Sequence, residues 1–265
     1  MKPLVNDALW QRLEPLLPKQ KRRSYQHPGR KPLDRRKILT GILFVLKTGI
    51  SWEDLPAELG WGCGKTCRNY LRRWHRAGVW QRLQEVLLQE LDEAHLIRWS
   101  RASVDSASCR APGGGQAAGP NPTDRRKLGT KHHILIDAQG IPLASITTKA
   151  NRADNTQLIP LLNQLRPRQA RSGAIHQYPW RLYADRGYDD QKLRDECQRR
   201  GIDPYIPKRR TGHGSGLGRF RWVVERTLSW LHQFRRVGYR RDRSLGLHRA
   251  FVNIAMCLIY MRFLQ

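Results

Sequence analysis

The first 95 residues place apolar side chains at helical spacing and lack the alternation that is typical of strands. Asn6 or Asp7 can cap a first helix that Pro18 ends. Asp34 can cap a second helix, and Gly49 stands where a left-handed C-terminal residue is favoured. The pattern therefore predicts an all-helical unit over residues 1–95.

A third helix in this unit carries a basic face. A capping-box pattern at Ser51 and Asp54 predicts a short helix over 52–55, and Thr66 is predicted to cap the next helix. Its inner positions are apolar, and its outward positions are Arg68, Arg72, Arg73 and Arg76. The arrangement is helix-turn-helix-like and would place these arginines against DNA. A solvated arginine face on an ordinary bundle is the alternative, since the connection before this helix is long for a tight turn.

Strand-like runs begin near Ser103, which makes 96–265 a second unit. One strand surrounds Asp105, and residues 131–150 read as a hairpin turning at 137–140. Helices and strands then alternate until a basic loop at 208–218, and helices over 219–236 and 246–264 complete the chain. This order predicts an α/β fold of α+β type, a mixed sheet covered by helices.

The net charge of the chain indicates which class of molecule it binds. The chain has 49 Lys and Arg against 22 Asp and Glu, a formal net charge of +27. A surplus spread along the whole chain favours nucleic acid over an acidic membrane or a merely solubilising surface.

Five scattered cysteines argue against a disulfide framework and favour a reducing, cytoplasmic setting. Cys63 and Cys67 could be half of a zinc site, but no second ligand pair follows at finger spacing, so two buried thiols are expected. The N-terminus lacks a signal-peptide pattern, and the apolar stretch at 250–264 is too short to span a bilayer.

Two acids stand in apolar strands of a chain that is poor in acids, Asp105 after Val104 and Asp185 after Leu182, Tyr183 and Ala184. A buried carboxylate needs a partner. Carboxylates that hold two Mg²⁺ or Mn²⁺ ions could support phosphoryl transfer, whereas a paired arginine would balance the charge equally well.

Four blocks, SVDSASCRA, GTKHHILIDAQGIPL, YADRGYDD and RWVVERTLSWLHQFRRV, occur in the order seen in bacterial DDE transposases. From about residue 33 to the C-terminus the chain resembles the insertion-sequence family five. The resemblance implies a ribonuclease-H-like catalytic domain in which Asp105, Asp185 and Glu225 are the catalytic, metal-binding acids. Asp185 follows Asp105 by 80 residues and precedes Glu225 by 40.

The family signature around the glutamate is matched in part. Arg221 and Glu225 agree with it, whereas Gly218 and His232 replace the family's Tyr and Lys. Arg221 lies one helical turn before Glu225 and could orient a carboxylate or hold a DNA phosphate. A surface glutamate paired with Arg221 or Arg226 is the alternative for Glu225.

Other polar residues receive structural interpretations. His132 and His133 are adjacent on a strand and must point to opposite faces, so at most one reaches a site. Asp137 fits the hairpin turn, and Asp154 fits a helix cap. The basic run that includes Lys208, Arg209 and Arg210 is either a solvated loop or a grip on DNA.

Taken together, the resemblance implies that the chain binds the inverted repeats of an insertion sequence and cleaves there. It then joins the freed 3′ hydroxyl to target DNA, acting as a dimer or higher synaptic complex on the bacterial nucleoid. The rivals are a transposase-derived DNA-binding protein or repressor without cleavage activity, and a structure-specific nuclease of the same fold. A ribosomal or RNA-coating protein would explain the charge but not the acids.

Overall fold

A computed structural model describes residues 3–19, 26, 31–169, 173, 175–210 and 218–265. Within these residues the N-terminal region is helical, as predicted. Its helices are α1 (Asp7–Leu13), α2 (Arg35–Thr48), α3 (Gly64–Arg76) and α4 (Val79–Glu93). Residues 20–25 and 27–30 of the first linker and 211–217 of the basic loop lie outside the described residues.

The capping residues of the first two helices behave as the sequence predicts. The side chain of Asn6 accepts from the Leu9 amide, and that of Asp34 accepts from the amides of Arg36 and Lys37. Gly49 ends α2 with a φ of 74°, the left-handed conformation that glycine adopts without steric cost.

The segment between α2 and α3 differs from the prediction. Residues 52–55 form turns instead of a helix, because the Ser51 hydroxyl bonds to the Glu53 carboxylate rather than capping an amide. A short 3₁₀ helix, Ala57–Leu59, follows. Helix α3 begins at Gly64 after Cys63, not at Thr66. Here the helix start packs so closely that a Cβ on Gly64 would lie 1.6 Å from the Trp52 carbonyl oxygen.

A mixed sheet forms the second half. Its strands are β1 (Ala102–Arg110), β2 (Gly119–Pro120), β3 (Leu128–Asp137) and β4 (Pro142–Lys149), then β7 (Arg181–Tyr183) and β8 (Asp203–Tyr205). β5 (Arg168–Gln169) and β6 (Ile175–His176) form a separate small ladder. The order is β4-β3-β1-β7-β8, and β2 pairs with the first two residues of β3. The pairs β4/β3 and β3/β1 are antiparallel, whereas β1/β7 and β7/β8 are parallel. The expectation of a ribonuclease-H-like mixed sheet is confirmed.

Helices cover this sheet. They are α5 (Leu158–Leu162), α6 (Gln191–Arg199), α7 (Gly218–Gln233), α8 (Arg235–Gly238) and α9 (Leu245–Phe263). Helix α7 packs on β1 and β3, whereas α9 packs against α3 and α4 as well as β4. The C-terminal helix therefore returns to the N-terminal region.

The two halves share one continuous hydrophobic core, in which Leu43 and Leu87 of the helical region join Val104 and Ile134 of the sheet. The change from helices to strands falls between Glu93 and Ala102, near the boundary at residue 95. The division into two domains stays a prediction, because α9 contributes to the packing of both. No helix of the described residues has the length and apolarity that crossing a membrane requires.

Candidate active site

The parallel pairing of β1 and β7 brings the two strand aspartates together. Ala102 pairs with Leu182 and Ser103 with Tyr183. Asp105 and Asp185 each lie three residues beyond the first of these pairs, so the register leads both to the same edge of the sheet. At this point β7 has ended, and Asp185 caps a short 3₁₀ helix over Arg186–Tyr188.

One oxygen of each aspartate is held by a backbone amide. Asp105 Oδ1 accepts from the Ser106 amide at 2.8 Å, and Asp185 Oδ1 accepts from the Gly187 amide at 2.8 Å. The remaining oxygens face one cation. Arg221 Nη2 lies 2.9 Å from Asp105 Oδ2 and 3.9 Å from Asp185 Oδ2. The sequence left open whether an arginine balances these acids, and in the structure Arg221 pairs with Asp105 and lies near Asp185, so it balances their charge in part.

Helix α7 places Glu225 one turn beyond Arg221. Its side chain is exposed and has no ion pair within the described part of the chain, so the predicted alternative of pairing with Arg221 or Arg226 is not seen there. Burial raises the pKa of Asp105, the Ser106 amide and Arg221 lower it, and the carboxylates of Asp185 and Glu225 raise it. This edge of the sheet therefore gathers negative charge that one arginine balances only in part.

Asp154 contradicts its predicted role as a helix cap. Ala153 occupies the cap position, and Asp154 Oδ1 instead accepts from the Ser106 hydroxyl at 2.8 Å and from Lys131 Nζ at 2.9 Å. The difference comes from the tertiary structure. The neighbouring strands β1 and β3 bring the Ser106 hydroxyl and the Lys131 ammonium to Asp154, and the charged donor is a stronger partner than a free amide of a short 3₁₀ turn.

Tyr188 is a further residue that sequence reasoning missed. Its side chain is buried, and its hydroxyl has no hydrogen-bond partner among the described residues. Burial raises its pKa well above the usual value, and the carboxylates of Asp154, Asp105 and Asp185 raise it further. Its place in the YADRGYDD block, three residues after Asp185, was the available signal.

The predicted DNA-contact residues occupy two regions. All four arginines of α3 are exposed on the outer side of the helix, namely Arg68, Arg72, Arg73 and Arg76. Near the acids, the Arg209 amide donates to Asp189, and its guanidinium donates to the carbonyls of Arg186 and Gly187. Lys208, Arg209 and Arg210 thus lie next to the turn that holds Asp185.

The paired histidines do point to opposite faces. His132 is buried and contacts His232 and His248, whereas His133 bonds to Thr148 and lies 3.6 Å from Asp154. Asp137 holds the hairpin turn, as predicted, by accepting from three amides of that turn and from the Arg98 amide.

All five cysteines are free thiols. The expectation of two buried thiols at Cys63 and Cys67 is wrong for Cys63, which is exposed because it caps the start of α3 at the surface.

The strand order β4-β3-β1-β7-β8, antiparallel from β4 to β1 and parallel from β1 to β8, is that of the ribonuclease-H-like class. The chain belongs to the DDE transposases of the IS4/5 group: the family model "Transposase DDE domain" matches residues 100–261, and "Putative transposase of IS4/5 family" matches residues 5–84.

Two proteins of Burkholderia cepacia are similar in sequence. One is described as "Putative transposase for insertion sequence element IS402" and is 54% identical over 141 residues, which are 53% of this chain and 67% of that protein. The other, "Insertion element IS402 uncharacterized 16.2 kDa protein", is 56% identical over 121 residues, 46% of this chain and 82% of that protein.

Among solved structures, a Mos1 transposase paired-end complex with the left transposon end aligns over 89% of this chain and 80% of that chain. The identity is 13% and the TM-score 0.28. A pre-cleavage Mos1 transpososome aligns over 89% of this chain and 81% of that chain, with 12% identity and a TM-score of 0.27. At this identity and TM-score, the similarity carries no conclusion about function.

Proposed function

We propose that this chain binds the terminal inverted repeats of an insertion sequence, cleaves DNA at the ends and joins the freed 3′ hydroxyl to target DNA. The observation that carries the proposal is the convergence of Asp105 Oδ2 and Asp185 Oδ2 on one cationic group, with Glu225 one turn away on the same covering helix. Family membership supports the transposase class.

The donor set fits hard divalent cations. Each aspartate has one oxygen fixed by an amide and one turned toward the cationic group of Arg221. Asp105, Asp185 and Glu225 would hold two Mg²⁺ or Mn²⁺ ions, for which carboxylate oxygens are the preferred protein ligands. When bound, such ions neutralise phosphate charge and activate the attacking oxygen.

The chain's own residues supply rigidity and position. The amides of Ser106 and Gly187 restrict the two aspartates, so that ligands need not be ordered at the moment of reaction. Arg221 keeps Asp105 Oδ2 turned toward Asp185. That Arg221 also contacts DNA stays a prediction, since its guanidinium is engaged with the acids here.

DNA contact is proposed on two basic regions. The exposed arginines of α3 face outward, where they would meet phosphates or guanine edges, in keeping with the net charge of +27. Lys208, Arg209 and Arg210 stand beside the turn of Asp185 and would hold the DNA end near the acids. Because two ends must be processed together, we propose a dimer or higher synaptic complex acting on the bacterial chromosome.

The test is cleavage of a labelled duplex carrying the terminal repeat of the encoding element, with Mg²⁺ or Mn²⁺. Asp185→Asn and Glu225→Gln remove charge with little change of shape. Asp195→Asn, on the exposed face of α6, is the matched control. We expect the parent and the control to cut, and both site variants to bind the duplex without cutting.

Cleavage by the site variants at the parental rate would show that the acids are misassigned. If the parent binds the ends but cuts nothing, a DNA-binding protein without cleavage activity is the better description. If it cuts but a pre-cut end is never joined to target DNA, the chain is a nuclease of this fold.

A further inference from the structure

A second cluster of ligand-type side chains is buried under the far end of α7. Cys109 on β1, His132 on β3 and His248 on α9 each offer a donor atom, and these atoms all lie within 4.8 Å of one another. The three residues are 4%, 1% and 0% exposed. Among the described residues this is the one set of three possible metal ligands with that spacing.

The strand register explains how two of these residues meet. His132 pairs with Ala107 across the antiparallel β1/β3 ladder, so both side chains point to the same face. Cys109 follows Ala107 by two residues and shares that face. Helix α9 then brings His248 onto the same spot, with His132 and His248 ring centroids 5.0 Å apart.

The rings form a chain of contacts that leaves one polar atom unsatisfied. His132 Nδ1 lies 3.1 Å from His232 Nε2, and His132 Nε2 lies 2.8 Å from His248 Nε2. His248 Nδ1 is buried and has no hydrogen-bond partner within the part of the chain that the structure describes. An unpaired polar atom in a fully buried site is costly, so the described protein groups do not fully satisfy this cluster.

The chemistry of the donors selects the kind of ion. A thiol and two imidazoles are ligands for zinc rather than for Mg²⁺ or Mn²⁺. Imidazoles bind metals in their neutral form, and thiols bind as thiolates. Donors around a tetrahedral zinc ion stand about 3.5 Å apart, between the 2.8 Å ring contact and the 4.8 Å limit of the cluster.

We propose that Cys109, His132 and His248 bind one Zn²⁺ ion, with His232 as the outer partner that orients the His132 ring. An imidazole that ligates through one nitrogen commonly has its other nitrogen fixed by such a partner. Three protein ligands leave a fourth position for water. The ion would tie β1 and β3 to α9, the helix that also packs on α3 and α4.

This site is separate from the carboxylates. His232 follows Arg221 by 11 residues on α7, which corresponds to about 16 Å along the helix. Zinc binding is therefore independent of the proposed DNA chemistry, and the two can fail separately.

The experiment uses the full chain, stripped of metal, dialysed against Zn²⁺ and analysed for bound zinc by mass spectrometry. We expect one zinc per chain in the parent, and loss of that zinc in Cys109→Ser and in His248→Gln. Binding in His232→Gln should weaken by about 10- to 100-fold, as for other outer partners. Cys63→Ser, Cys197→Ser and Asp185→Asn are controls that should keep the zinc.

Cobalt substitution protects the test against variants that do not fold. Co²⁺ in the parent should produce a thiolate charge-transfer band that Cys63→Ser and Cys197→Ser retain. The proposal is wrong if the folded parent takes up no stoichiometric zinc, or if its Co²⁺ form lacks the thiolate band. It is equally wrong if folded Cys109→Ser and His248→Gln bind zinc as the parent does.

Discussion

The ion pair between Arg221 and Asp105 makes a pH-dependent contribution to stability that can be separated from the rest of α7. Both side chains are 18% exposed, so the pair lies between a surface ion pair and a fully buried one. Surface pairs contribute about 0–1 kcal/mol, and breaking a buried pair costs about 3–5 kcal/mol. We therefore expect Arg221→Gln to lower the free energy of unfolding by about 2 kcal/mol at neutral pH.

The sign of the pH dependence follows from the Asp105 carboxyl. Burial raises its pKa and Arg221 lowers it, so the variant has a higher Asp105 pKa than the parent. A carboxyl whose folded pKa lies above its unfolded value binds more protons when folded, and stability then falls as pH rises through that pKa. Arg221→Gln therefore lowers the free energy of unfolding by the full amount only when Asp105 is ionised. This loss disappears as the pH falls toward the ordinary Asp pKa.

The assay is urea unfolding of the metal-free protein near pH 7 and near pH 4. Arg226→Gln is the matched control, because Arg226 lies on the same helix, donates to the Gln139 carbonyl and stacks on Trp222 and Trp230. It has no acid partner among the described residues. Its cost, about 1–2 kcal/mol, should not depend on pH. An equal cost of Arg221→Gln at both pH values would refute the reasoning.

Three further predictions concern other parts of the molecule. Asp137→Ala removes the acceptor of four backbone amides and should cost about 3–5 kcal/mol in chemical unfolding, whereas a loss under 1 kcal/mol would contradict this. Tyr188→Phe deletes a buried hydroxyl that has no partner within the described ranges, so the melting temperature should stay level or rise, and a clear fall would show that the hydroxyl makes a stabilising hydrogen bond. Arg76→Ala should make the slope of log binding constant against log salt concentration, measured with transposon-end DNA, less steep by about 0.9. An unchanged slope would show that Arg76 does not contact a phosphate.

Local sequence patterns determined much of the secondary structure. The caps at Asn6 and Asp34, the C-terminal Gly49 and the hairpin turn at Asp137 depend on contacts within a few residues, and all occur as predicted. The acids on their strands were likewise visible from their apolar neighbours. Their assignment as catalytic ligands, together with Glu225, came from the resemblance and stays a prediction.

The tertiary structure alone decided which partners these residues have. Arg221 and Asp105 are 116 residues apart, and Asp154 and Ser106 are 48 apart, so no local pattern could pair them. The start of α3 at Gly64 likewise depends on packing against the Trp52 backbone, which the capping pattern could not show. Helical and strand periodicity reports which face of an element is apolar, whereas strand register and the return of α9 to α3 and α4 depend on the packing of distant segments.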